Sequence, residues 1–208
     1  MIELLKNMLG VPTPTFQEAA CCTFVEIWLK AFAQPDEIWK HKDSLVASWD
    51  LDQVHKPHLC FVGHTDVVGL HVEPYIDGDK LHGTGASDMK GGLAAFMFFI
   101  GEHRAALLDR YRVSLIAYSR EEGTPVTDNG LYDLIQFRPE FFKTLDCAIV
   151  GEPTNGTIQL GCLGSLHVKV MVEGRAAHSA RPWDGDNALY KALPFLNAVS
   201  QLTPVQHV

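Results

Sequence analysis

Apolar and polar positions along this chain switch repeatedly between a helical and an extended period. In residues 17–32 (QEAACCTFVEIWLKAF), Ala20, Phe24, Ile27, Trp28 and Ala31 recur at helical spacing, which predicts a helix with those side chains as its buried face. Residues 44–49 and 58–62 read as strands, and HLCFV is apolar almost throughout, as expected of a strand covered on both faces. A glycine-rich turn then leads into a helix over 90–103. Residues 112–119 and 146–150 are further buried strands, with a helix near 129–136 between them. Strand, helix and strand in this rhythm predict an α/β sheet with helices on both faces.

The texture changes after about Leu163. In SLHVKVMVEG, Leu166, Val168, Val170 and Val172 alternate with polar residues, the pattern of a strand with one wet face. A loop, RAAHSARPWDGD, follows, and Asp186 or Asn187 can cap a helix, ALYKALPFLNAVSQL, interrupted by Pro194. The expected division is therefore 1–163 and 164–208, with a boundary near Gly161–Gly164. The second unit begins without closing, since one strand and one helix cannot bury a core.

Composition narrows the function classes. The 208 residues are 47% hydrophobic with a net charge of −8, and no lysine or arginine block occurs, which argues against nucleic acid and anionic membranes as partners. The N-terminus does not read as a signal peptide, and the longest apolar stretch, GGLAAFMFFIG, is too short to span a bilayer. The five cysteines (Cys21, Cys22, Cys60, Cys147, Cys162) are scattered without a CxxC pair, which is cytoplasmic usage rather than a disulfide framework or thiolate zinc site. Cys60 and Cys147 sit inside apolar strands, where a thiol acts as a small hydrophobe.

The chemistry collects where the strands stop. HLCFV ends in Gly63-His64-Thr65-Asp66, the turn before residue 90 carries Asp88, YRVSLIAYS runs into Glu121-Glu122, and DCAIV into Gly151-Glu152. Any one carboxylate after a strand is ordinarily a turn or cap residue. Together they bring an imidazole and several carboxylates to the rim where open α/β sheets bind ligands. Such a set without thiolates suits zinc, manganese or cobalt. Clustered carboxylates repel unless a cation joins them, and only Lys90 and Arg120 lie next to these motifs. GTGASD places Asp88 at the third glycine position of a dinucleotide fingerprint, and GASDMKGG lacks the Ser or Thr of a phosphate loop, so nucleotide binding is disfavoured. No G-x-S-x-G elbow supports serine catalysis.

In order along the chain, GHTDVV, GTGASDMKGG, SREEGT, VGEPT and GRAAHSARP resemble the co-catalytic zinc metallopeptidase family of aminoacylase, carboxypeptidase G, acetylornithine deacetylase and succinyl-diaminopimelate desuccinylase. The resemblance implies a zinc-exopeptidase-like catalytic domain followed by a smaller α+β, ferredoxin-like dimerisation or lid domain. It implies two zinc ions, with cobalt or manganese as possible substitutes. His64 and Glu152 would hold one zinc, Asp88 would bridge both, and Glu122 would hold the second. Asp66 would orient His64, Glu121 would be the general base, and the peptide bond after Asp88 would be cis. His178 would cross a homodimer interface, formed through the second domain, to stabilise an oxyanion.

The reaction implied is hydrolysis of a small N-acyl amino acid. The second unit most resembles succinyl-diaminopimelate desuccinylases, while GLHVEP after HTDVV departs from their proline-rich version. Acetylornithine deacetylase and dipeptidase are the alternatives within the family; a non-catalytic metal-binding fragment is the alternative outside it. Relatives are nearly twice as long, and the histidine completing their second zinc shell has no counterpart here, His207 standing in another context. The isolated 208-residue chain is accordingly expected to be inactive, with the zinc on the Glu122 side weak or absent.

Overall fold

The computed structural model describes residues 1–161, 164 and 167–203; Cys162, Leu163, Leu166 and His207, invoked above, lie outside them. The described elements run α1 (Ile2–Leu9), α2 (Ala19–Trp28), β1 (Glu37–His41), β2 (Ser44–Trp49), β3 (His58–His64), β4 (Tyr75–Asp77), β5 (Lys80–His82), α3 (Lys90–Arg110), β6 (Arg112–Tyr118), α4 (Gly130–Phe137), α5 (Pro139–Phe142), β7 (Cys147–Val150) and α6 (Ala188–Ser200). They fall into two compact units, Met1–Ile158 and Gln159–Val208.

In the first unit the strands form a mixed sheet in the order β1-β2-β6-β3-β7, and β4 and β5 make a separate hairpin. β3 is parallel to both β6 and β7, whereas β1, β2 and β6 pair antiparallel. Alternate side chains of each strand therefore feed two cores. Leu45, Ala47, Trp49, Phe61, Val113, Leu115 and Ala117 meet α1, α2 and α3 on one face. Val46, Cys60, Val62, Ile116 and Tyr118 meet Leu134 of α4 on the other, with Phe141 and Phe142 of α5 packed alongside. The helices thus cover both faces, as the period of the sequence implied.

The register sets up the rim. His64 lies opposite Tyr118, so the residues after β6 start level with the end of β3. Val62 lies opposite Val150, which brings Gly151 and Glu152 abreast of His64. Parallel pairing is what sends three strand ends to one side.

Several expectations need correction. α2 forms and continues as a π turn over Leu29–Ala33, but its buried face is Cys21, Cys22, Val25, Leu29 and Ala33. Ile27 is 64% exposed, and Ala20 and Ala31 are exposed as well. Apolar residues occupy most of this helix's circumference, so two stripes fit the period and the sheet selects one. α3 continues past residue 103 to Arg110, with a local departure from helical geometry at His103. β7 forms, but its residues are exposed, Cys147 included, because it is the outer strand of the sheet among the described residues.

In the second unit, residues 167–172 carry no strand, and Val168 and Val170 are exposed. Alternation alone cannot make a strand without a neighbour to take up its backbone groups, and the bridge found in this unit joins Arg175 to Asp186. α6 is capped by Asn187, whose Oδ1 accepts the Leu189 N–H at 2.9 Å, and it runs through Pro194 without ending there. No helix among the described residues is long and apolar enough to cross a membrane.

Candidate metal centre

His64 closes β3 and is almost completely buried. Its Nδ1 faces the Asp66 carbonyl oxygen at 3.0 Å, and the Asp66 carboxylate lies at 3.5 Å. That leaves Nε2 pointing to the rim, 3.1 Å from Asp88 Oδ1, 3.8 Å from Glu152 Oε1 and 3.9 Å from Glu121 Oε2. His64, Asp88 and Glu122 each offer a ligand atom, all within 4.8 Å of one another. The structure therefore brings together five side chains from three strand ends and one turn. Asp88, Glu121 and Glu152 remain partly open to solvent, so the cluster is a mouth rather than a sealed core.

Local backbone geometry delivers each of them. The peptide bond between Asp88 and Met89 is cis, as the resemblance implied. The first turn of α3 packs against the end of β7 so closely that a Cβ on Gly92 would sit 2.2 Å from the Gly151 carbonyl oxygen. MKGG thus admits a backbone contact that seats Glu152 near Asp88. Asp66 does more than face His64. Its Oδ1 accepts the Glu121 N–H and its Oδ2 the Glu122 N–H, both at 3.0 Å, and Thr15 donates to Oδ2 at 3.1 Å.

The charges fit a cation. Lys90 donates instead to the carbonyls of Val11 at 2.7 Å and Met8 at 3.4 Å, and the Arg120 guanidinium pairs with Asp133. Neither neutralises the cluster. Burial, and then the nearby Asp88, raise the carboxyl of Glu122. Burial raises Glu152, with His64 opposing and Asp88 adding to the shift. Burial works against a charge on His64, but Asp66, Glu152 and Glu121 outweigh it and push the imidazole up to about 9. A metal ligand must be deprotonated, so metal binding here would release a proton from His64. One imidazole with carboxylates and no thiolate is the donor set of a hydrolytic zinc, manganese or cobalt centre.

His178 belongs to the second unit, where it is exposed and its Nδ1 accepts the Ala180 N–H at 3.1 Å. Sequence reasoning passed over Thr13, Thr15 and Glu18, which tie the segment before α2 to this rim. Thr13 donates to the Thr65 carbonyl at 2.7 Å, and Glu18 accepts the Arg120 N–H at 3.0 Å. Their only signal was polar side chains clustered ahead of an apolar helix, a pattern that reads equally as a cap.

Comparison with known proteins shows the family. Residues 60–201 match the model of peptidase family M20/M25/M40. A Mycobacterium tuberculosis protein named DapE is 36% identical over 194 residues, covering 91% of this chain and 52% of the relative.

This chain belongs to the M20 family.

The succinyl-diaminopimelate desuccinylase of Corynebacterium glutamicum, another relative, is 32% identical over 204 residues, covering 96% of this chain and 54% of its own length. The M20 chain thus spans about half the length of these curated relatives. A tripeptidase of Staphylococcus aureus shares the fold, with a TM-score of 0.67 at 15% identity over 97% of this chain and 55% of that one.

Proposed function

We propose that this chain carries the metal-binding and base residues of a zinc-dependent amidohydrolase that cleaves N-succinyl-LL-2,6-diaminopimelate to succinate and diaminopimelate in the cytoplasm. One observation carries the reading: His64, Asp88, Glu121, Glu122 and Glu152 converge at one rim while both neighbouring cations are engaged elsewhere. The substrate assignment draws on the relatives named desuccinylases and on the resemblance of the second unit.

In this reading His64, Glu152, Asp88 and Glu122 would hold the zinc ions. When bound, zinc would supply Lewis-acid polarisation of the amide carbonyl and a lowered water pKa. Asp66 keeps the His64 ring oriented and both glutamates in place. Glu121 takes a proton from the attacking water and delivers it to the leaving amine. The bond between acyl carbon and nitrogen breaks, releasing a carboxylate and an amine. His178, contributed across a two-fold dimer, stabilises the oxyanion.

A substrate panel on the zinc- or cobalt-loaded full-length protein tests this. N-succinyl-LL-diaminopimelate should be hydrolysed with the highest kcat/KM. Preference for N-acetylornithine or a dipeptide would reassign the substrate. Glu121→Ala should retain its metal and lose about 10²–10⁴-fold in turnover; activity close to wild type would reject Glu121 as the base.

A further inference from the structure

Glu18 is fully buried at the N-terminus of α2, and the chemistry above gives it no part. As the N-cap residue it would ordinarily accept from the first turn of its own helix, but its side chain makes no such bond. Instead Oε1 accepts the N–H of Phe16 at 2.9 Å and that of Arg120, from a distant part of the chain, at 3.0 Å. Both donors sit in the left-handed region, with φ of 76° at Phe16 and 58° at Arg120. Neither residue favours that conformation, so the surroundings must hold it.

Arg120 immediately precedes the two glutamates. Three successive amides, of residues 120, 121 and 122, point at Glu18 Oε1, Asp66 Oδ1 and Asp66 Oδ2, each at 3.0 Å. Consecutive N–H groups around such a turn form a concave anion-binding nest. Here two buried carboxylates of the chain itself fill it. Glu18 Oε2 has no hydrogen-bond partner among the described residues, so this carboxylate is buried for the sake of one oxygen. Burying a group so poorly satisfied destabilises the fold, and stability alone does not account for it.

We infer that Glu18 is a positioning residue for the Glu121–Glu122 pair, holding the Arg120 amide so that the left-handed turn aims one glutamate at the water and the other at the metal. The inference rests on the amidohydrolase reading for what the pair then does. Asp66 secures the two glutamate amides, and Glu18 takes the amide of the residue before them, whose carbonyl accepts from Thr124 and whose guanidinium pairs with Asp133.

The test compares Glu18→Ala and Glu18→Gln in the full-length protein, with Co²⁺ as the metal probe and hydrogen–deuterium exchange at the Arg120 amide. In the wild type that amide, although in a turn, should exchange as slowly as sheet amides. Glu18→Ala should speed its exchange, weaken Co²⁺ binding by about 10–100-fold, and lower kcat with little change in KM. Glu18→Gln keeps an acceptor oxygen at the same place and should restore all three close to wild type. The inference is overturned if Glu18→Ala lowers only the melting temperature, if Glu18→Gln fails as badly as Glu18→Ala, or if the wild-type Arg120 amide exchanges freely. Should Glu18→Ala not fold, the wild-type exchange and Glu18→Gln still decide. A wild-type protein that neither binds Co²⁺ nor hydrolyses amides would defeat the amidohydrolase reading instead, and the amide exchange would still judge the hold of Glu18.

Discussion

The backbone N–H of Glu122 donates to Asp66 Oδ2 at 3.0 Å, joining the turn after β6 to the end of β3. With the matching bond from Glu121 to Oδ1, it makes one carboxylate the anchor of both glutamates. Adjacent carboxylates that would repel in a free loop are held in place by their amides.

Asp66→Asn should therefore disturb the centre without touching a ligand. The asparagine amide nitrogen cannot accept the N–H it would face, so one anchor is lost. Metal affinity is expected to fall about 10–100-fold, measured by competition with a zinc chelator. Unchanged affinity would mean that the two bonds do not organise the pair.

Gly92→Ala should act through backbone alone. The added Cβ would lie 2.2 Å from the Gly151 oxygen and 3.1 Å from its carbonyl carbon, and neither can swing aside. We expect a loss of about 1–3 kcal/mol in denaturant melts, together with weaker metal binding because Gly151 carries Glu152. Wild-type stability and affinity together would refute the close contact.

His58 should make stability depend on pH. It is buried at the start of β3, with Nδ1 2.9 Å from Thr144 Oγ1 and Nε2 2.8 Å from Ser114 Oγ. Burial first, and then the Arg112 charge, lower its pKa from 6.5 to about 4. Between those values the unfolded chain binds the proton and the folded one does not, so stability falls as pH drops through that window and levels off below it. The full effect is on the order of 3 kcal/mol. Urea melts from pH 7 to 4 should show this slope, and His58→Gln should flatten it.

The face of α2 can be checked by a pair of substitutions. Leu29→Ala empties a fully buried position and should cost about 2–5 kcal/mol. Ile27→Ala, at a site 64% exposed, should stay within about 0.5 kcal/mol of wild type. Equal losses in thermal melts would contradict the orientation of the helix.

Much of the first unit was legible because its strands are continuous apolar runs that stop at chemistry. HLCFV, YRVSLIAY and the MKGG turn located β3, β6 and α3, and the polar residues beyond them converge where parallel strand ends must meet. α1, β1 and the β4–β5 hairpin drew no prediction, since short segments carry too little periodicity to stand out. The expected strand at 166–172 failed in its described part for the opposite reason: the pattern was clear, but residues 167–172 pair with no strand among the described residues.

The sequence by itself determined the α/β class, the five clustered side chains and the family, because apolar period and motif order survive without knowledge of contacts. Only the tertiary structure decided which face of α2 is buried, that Lys90 and Arg120 turn away from the cluster, and that Asp66 and Glu18 hold the Glu121–Glu122 turn. Those outcomes depend on packing and hydrogen bonds between separate parts of the chain, where geometry rather than local preference selects the partner.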